Sequence, residues 1–284
     1  MKTKRALALL CAAVLVLLLF AGCGPAKKDK PASALITPGV LTIGSEIGYP
    51  PMEYTTDNGL DYIGFDIDVG KAIGDLLGLE VKFVNTAWDG IFAGLEQGQY
   101  DMIMSAVSIT PDRQEKYILT KPYVSNAQAI ITRPGADEAI NDPSKFEGKR
   151  VAVQTATTSA DILEEMVANG AKIEIFPYEK VTSCFDDLLL DRADAVFVDS
   201  VVAAYYLQGD NAKKFVRTYL SDEPEPMAIC IAKGNDKLAA AVEAAVDTLN
   251  YNGTMELIAV KNFGEDFTSG LREVTEEPVI PSLD

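Results

Sequence analysis

The chain has 284 residues, 48% of them hydrophobic, with 25 basic against 42 acidic side chains, a formal net charge of −17 and no histidine. That balance excludes nucleic acid and anionic lipid surfaces as partners, while the apolar content belongs to a folded chain and not to a disordered one. Lack of histidine removes the commonest general base and the commonest metal ligand, and neither a cofactor nor a metal is implied.

In chain order, Lys2, Lys4 and Arg5 precede the unbroken apolar run Ala6–Phe20, and small residues then lead to Cys23. A charged, then apolar, then small-residue order predicts a secretory signal peptide over residues 1–22. Its apolar part is short for a spanning helix, which needs about 20 residues. Phe20-Ala21-Gly22-Cys23 resembles a bacterial lipobox, with Phe20 in place of the usual aliphatic residue. The resemblance implies cleavage before Cys23 and attachment of diacylglycerol, with fatty acyl chains such as palmitate, to its thiol. Ordinary secretion with an incidental cysteine is the alternative. Two acyl chains hold a protein stably on a membrane, so the expected location is extracytoplasmic, lipid-anchored to the bacterial cell membrane. Loss of the leader would leave 22 basic residues against 42 acidic ones, a net charge of −20. Residues 23–39, rich in Pro, Lys, Ala and Ser, predict a flexible tether.

From Val40 onward strand-like and helix-like segments alternate. Val40–Ser45 predicts a strand, and Phe65, Val69, Ala72, Ile73, Leu76 and Leu77 mark one helical stripe. Glu80–Asn85 predicts a strand, Trp88–Gln97 a helix and Asp101–Val107 a strand. Arg150–Gln154 (strand), Ser159–Ala168 (helix), Lys172–Phe176 (strand), Val181–Asp191 (helix) and Ala195–Asp199 (strand) continue the series. Such alternation predicts an α/β fold with mostly parallel sheets and helices on both faces. Ligands in these sheets bind beyond the carboxyl ends of strands. Glu46, Ser105, Ser108, Thr157, Thr158 and Asp199 all fall at such ends. Cys184 and Cys230 could pair in an exported chain. Their places in a helical run and in the apolar run Met227–Lys233 favour buried free thiols instead. There is no tandem repeat, phosphate loop or zinc-type cysteine spacing.

Gly64-Phe65-Asp66-Ile67-Asp68-Val69 combines a turn glycine, first-turn acids and an apolar stripe. Together with five other blocks it resembles the bacterial extracellular solute-binding proteins of family 3, the polar amino-acid binders of ABC transporters. Those blocks are Tyr49–Tyr54, Trp88–Ile91, Ser105–Arg113, Gly148–Ser159 and Arg192–Asp199, in family order between Val40 and about Phe263. The resemblance implies a two-lobed, periplasmic-binding-protein-like (Venus-flytrap) fold with two hinge crossovers. Lobe one would take residues 40–122 and 227–284, lobe two 128–220, and the crossovers 123–127 and 221–226. Glu223-Pro224-Glu225-Pro226 fits an extended connector, since proline biases its predecessor away from helix. The acidic tail beyond Phe263 is left without a role.

By the same resemblance, Arg113 grips the ligand's α-carboxylate, a task suited to a planar fork of donors. Thr110 and Pro111 read as an N-cap and a first helical residue before it. The competing role for Arg113 is a surface pair with Asp112 or Glu115. Asp199 would take the α-ammonium, or else cap a helix over Ser200–Leu207. Ser105 and Ser108, with the backbone of Ala106, would complete the polar cage from lobe one, and Gln154, Thr157 and Thr158 from lobe two. Tyr49 and Trp88 match positions that sandwich the ligand's side chain. Glu46 matches an acid of relatives that bind basic amino acids, unless it faces solvent. The implied function is hinge-closing capture of a free amino acid, arginine or lysine first and glutamine or histidine as alternatives. A monomer would deliver it to the permease subunits of an ABC transporter. Dehydratases of prephenate-like substrates and sensory input domains share the resemblance. The sequence offers no spare acid for the first and, ending at Asp284, no output segment for the second, so no enzymatic activity is expected.

Overall fold

The computed structural model describes residues 34–56, 58–135 and 139–283, so the predicted leader, Cys23 and most of the tether lie outside the described residues. The chain begins with β1 (Val40–Ser45), a small hairpin of β2 (Tyr54–Thr55) and β3 (Tyr62–Ile63), α1 (Phe65–Leu77) and β4 (Glu80–Asn85). Next come α2 (Trp88–Glu96), β5 (Met102–Ile103), α3 (Pro111–Lys116) and β6 (Tyr117–Leu119). A second set follows: β7 (Ala127–Thr132), β8 (Arg150–Gln154), α4 (Thr158–Ala168), β9 (Glu174–Tyr178) and α5 (Val181–Leu189). It ends with β10 (Ala195–Asp199), α6 (Ser200–Tyr206) and β11 (Val216–Pro224), before the chain returns through β12 (Cys230–Ala232), α7 (Asp236–Tyr251) and α8 (Thr254–Phe263).

Two five-stranded sheets result, in the orders β4-β1-β5-β12-β6 and β11-β7-β10-β8-β9, one for each lobe. In the first, β1 is parallel to β4 and β5, while β12 is antiparallel to both its neighbours. In the second, β8 is parallel to β9 and β10, while β7 is antiparallel to both its neighbours. Each sheet therefore carries one reversed strand, and it is the strand entering straight from the other lobe. A strand that arrives without a crossover helix has no means of returning to the common starting edge, so it pairs antiparallel. The crossings themselves lie side by side. Tyr123 N–H donates to Met227 O (3.0 Å), Met227 N–H to Val124 O (3.1 Å) and Glu225 N–H to Asn126 O (2.8 Å).

Two predicted strands differ from the observed ones. β5 pairs only over Met102–Ile103 instead of Asp101–Val107, because the backbone leaves extended geometry at Ala106, φ 49°, before Ser108 bridges to Met227. β9 lies two residues later than expected and contains Pro177. It is an edge strand, where a missing N–H is tolerated.

Gly64 starts α1 at φ 126°, and a Cβ there would lie 2.3 Å from Met52 O, so the turn requires glycine. Phe65, Val69 and Ile73 of α1 then pack with Leu41, Ile43 and Met102 in the buried core. Cys184 and Cys230 are buried and free, and burial raises both thiols far above their ordinary range, which leaves them unreactive. Beyond α8 the tail is tied to the first crossing. Phe267 O accepts from Ser125 N–H (2.7 Å), and Arg272 donates to Pro122 O (2.8 Å) and Lys121 O (2.6 Å). The same buried guanidinium pairs with Glu243 and Asp247, at 3.0 and 2.6 Å.

Candidate functional site

Strand ends and helix starts of both lobes surround one cleft of about 300 Å³. All eleven cleft residues singled out by the sequence line it.

Arg113 is fixed by a local signal. Thr110 Oγ1 accepts from Arg113 N–H (3.2 Å), and Pro111 occupies the first turn of α3. The half-buried guanidinium lies 5.5 Å from the Trp88 ring centroid and 5.2 Å from that of Phe92, a cation–π arrangement. Its Nη1 donates to Ser108 O at 2.9 Å. Among the described residues no carboxylate forms an ion pair with it, and Asp112 pairs instead with Lys116 at 2.9 Å. Burial lowers the Arg113 pKa, with Glu225 and Asp199 opposing that shift. A guanidinium held this way has donors left for an incoming anion.

Asp199 occupies the N-cap position of α6, yet its side chain makes no capping bond. It accepts from Tyr49 Oη (2.5 Å) and from Asn126 Nδ2 (2.7 Å). Asn126 Oδ1 takes over the cap by accepting from Ser200 N–H (3.0 Å). Burial, and then the charge of Glu225, raise Asp199 to about 6.

The serine and threonine hydroxyls of the cleft, like that of Tyr49, are already committed within the protein. Ser105 Oγ donates to Glu53 (2.6 Å), Ser108 Oγ to Glu225 (2.6 Å), Thr158 Oγ1 to Glu225 (2.7 Å) and Thr157 Oγ1 to Gln154 O (2.8 Å). Thr157 also caps α4, accepting from Ala160 N–H at 3.1 Å. A hydroxyl has one hydrogen to give, so none of these groups has a hydrogen left for a ligand. The N–H of Thr158, in the first turn of α4, has no intrahelical acceptor.

Glu46, also in the cleft lining, is 5% exposed, which removes the solvent-facing alternative. Gln154 Nε2 donates to Glu46 Oε2 across the cleft (2.8 Å) and to Glu179 O (3.0 Å). Burial raises Glu46 to about 7, against the Gln154 hydrogen bond and the charge of Lys180. Two further contacts span the lobes: Trp88 Nε1 donates to Ala156 O (2.8 Å), and Thr155 Oγ1 to Asp89 (3.2 Å). Ala156 and Ala106 sit at φ 58° and 49°, a strain of about 1–3 kcal/mol each, held by these loops.

Sequence reasoning missed the supports. Asp66, read as a first-turn acid, is fully buried and accepts from Ala106 N–H (3.0 Å) and Tyr123 Oη (2.5 Å). Beside it, burial and then the Asp66 charge push Glu53 well above the usual carboxylate range. Glu225, Asn126, Gln128 and Phe92 were missed as well. Glu225 stood in a segment rich in proline, where the only sequence signal was extended backbone.

The family described as bacterial extracellular solute-binding proteins, family 3, matches residues 41–265. The L-arginine-binding protein of Pseudomonas aeruginosa is 31% identical, with 80% of this chain and 88% of that protein covered. The L-cystine-binding protein TcyJ of Escherichia coli is 29% identical over 81% of this chain and 85% of its own length. Among solved structures, an ancestral arginine-binding protein bound to arginine superposes with a TM-score of 0.75 at 31% identity. That match covers 80% of this chain and 99% of the other.

Proposed function

This chain belongs to the bacterial extracellular solute-binding proteins, family 3, and from that premise we propose that its cleft captures a free basic amino acid, arginine or lysine, for an ABC transporter. Arg113 receives the α-carboxylate, helped by the N–H of Thr158, because the neighbouring hydroxyls have given their hydrogens to Glu225. Asp199, oriented by Tyr49 and Asn126, receives the α-ammonium. Tyr49 and Trp88 flank the side chain, whose cationic end reaches Glu46. The single observation that carries the ligand class is the buried Glu46 carboxylate in the cleft lining, acted on by Lys180 and Asp89 and not by Arg113 or Asp199. Inside a low-dielectric cleft it repels an acidic side chain and attracts a basic one.

The same reading takes Cys23 as the lipid site and permease subunits as the membrane partner. No helix of the described residues is long and apolar enough to cross a membrane. A neutral ligand such as glutamine or histidine is the second reading, favoured by the rise of Glu46 to about 7, which keeps an uncharged acid accessible near neutral pH. A thermal-shift screen of the twenty amino acids tests the choice. Arginine or lysine should raise the unfolding midpoint most, in line with ligand-linked stabilisation. A larger rise with glutamate would overturn the role of Glu46.

A further inference from the structure

We propose that Glu225 is a positioning residue that latches the two lobes together from the hinge. It lies in the second crossing, and its own N–H is held by Asn126 O of the first (2.8 Å). Its Oε1 accepts from Ser108 Oγ (2.6 Å), which follows β5 of lobe one, and from Thr158 Oγ1 (2.7 Å), at the start of α4 in lobe two. Oε2 accepts from Gln128 Nε2 (3.0 Å) of β7. One carboxylate oxygen thus takes a hydrogen from each wall of the cleft. Hinge opening separates those walls, so both bonds cannot survive it. Bonds to an ionised acceptor are stronger than neutral ones, and a half-buried carboxylate with three donors has little to gain from water.

The latch has a second consequence. With their hydrogens turned toward Glu225, Ser108 and Thr158 hold fixed rotamers and leave Arg113 as the charged donor at that end. Glu225 also stands near both Arg113 and Asp199, which feel its charge. The residue therefore sets the geometry of the carboxylate end without touching a ligand.

Two measurements on the full-length protein test this, and only the second rests on the proposed ligand class. Small-angle scattering without ligand should give a larger radius of gyration for Glu225→Ala than for wild type. Glu225→Gln keeps an acceptor oxygen for Ser108 and Thr158 but loses the charge and faces Gln128 Nε2 with a donor, so it should fall between the two. Trp88 is the sole tryptophan and lines the cleft, so its fluorescence reports release of L-arginine in a stopped-flow experiment. Release should be roughly ten- to a hundred-fold faster in Glu225→Ala, with association changed by about twofold or less. Scattering of Glu225→Ala identical to wild type overturns the latch, even if arginine proves not to bind. So does Glu225→Gln as open as Glu225→Ala, which would assign the effect to charge and not to the shared acceptor.

Discussion

Under the proposed function Arg113 and Asp199 form one end of the cleft, fixed by a capped helix start and a strand end, with Asp199 raised to about 6 by burial. At the other end Glu46 meets Gln154 across the lobes, and its protonation is poised near pH 7. The first end carries two opposite charges suited to the part every amino acid shares. The second carries one acid whose charge selects among side chains. On that reading common affinity and specificity are separate in space and in chemistry, and can be perturbed separately.

The largest expected effect comes from the shared end. Arg113→Ala and Asp199→Ala each strip a desolvated ligand charge of its partner, which costs about 2–5 kcal/mol. That is roughly 30-fold to several thousand-fold in affinity. Calorimetric titrations with arginine, lysine and glutamine should show similar losses for all three. A loss confined to one ligand would break the division between the two ends.

Glu46→Gln is expected to be smaller and selective. A hydrogen bond to a charged group contributes about 1.5–3 kcal/mol, so arginine and lysine should weaken roughly 10- to 150-fold. Glutamine should stay within about twofold of wild type, or improve. Equal losses for glutamine and arginine would place Glu46 in the general scaffold.

The smallest effect is a proton count. A cationic side chain favours ionised Glu46, so arginine binding at pH 7 should release up to about half a proton, as read from titrations in buffers of different ionisation heat. Glutamine binding, and arginine binding to Glu46→Gln, should release almost none. The sign for the unliganded protein follows from the raised pKa. Protonated Glu46 is favoured by folding, so its contribution is complete below about 4.5 and is lost as pH rises through about 7. The unfolding midpoint of wild type should therefore drop relative to Glu46→Gln between pH 5 and 8. A constant difference between them would mean that Glu46 does not titrate there.

Much of the site was legible because its signals are local. The cap at Thr110, the proline after it and the stripe of α1 all lie within a few residues of the features they set. Polar residues following strands sufficed to bring Glu46, Ser105, Thr158 and Asp199 to one cleft. The supporting acids behind the cleft were not legible. Asp66 and Asp68 share the first turn of α1, yet Asp66 is sealed beneath Ala106 and Tyr123 while Asp68 reaches Lys261 and Asn262. Nothing in their adjacent positions separates a solvated helix-start acid from a buried one.

The sequence by itself determined the alternation of strands and helices, the capped start of α3 and the motif order that marks the family, because periodicity, capping and turn chemistry act over short spans of chain. Only the tertiary structure decided which hydroxyl hydrogens are spent inside the protein, that Glu53 and Asp66 are both buried, and that Glu225 joins both walls. Those outcomes depend on desolvation and on partners far apart in the chain, 117 residues for Ser108 and Glu225 and 150 for Tyr49 and Asp199, and such separations become contacts only when two lobes close around two adjacent crossings.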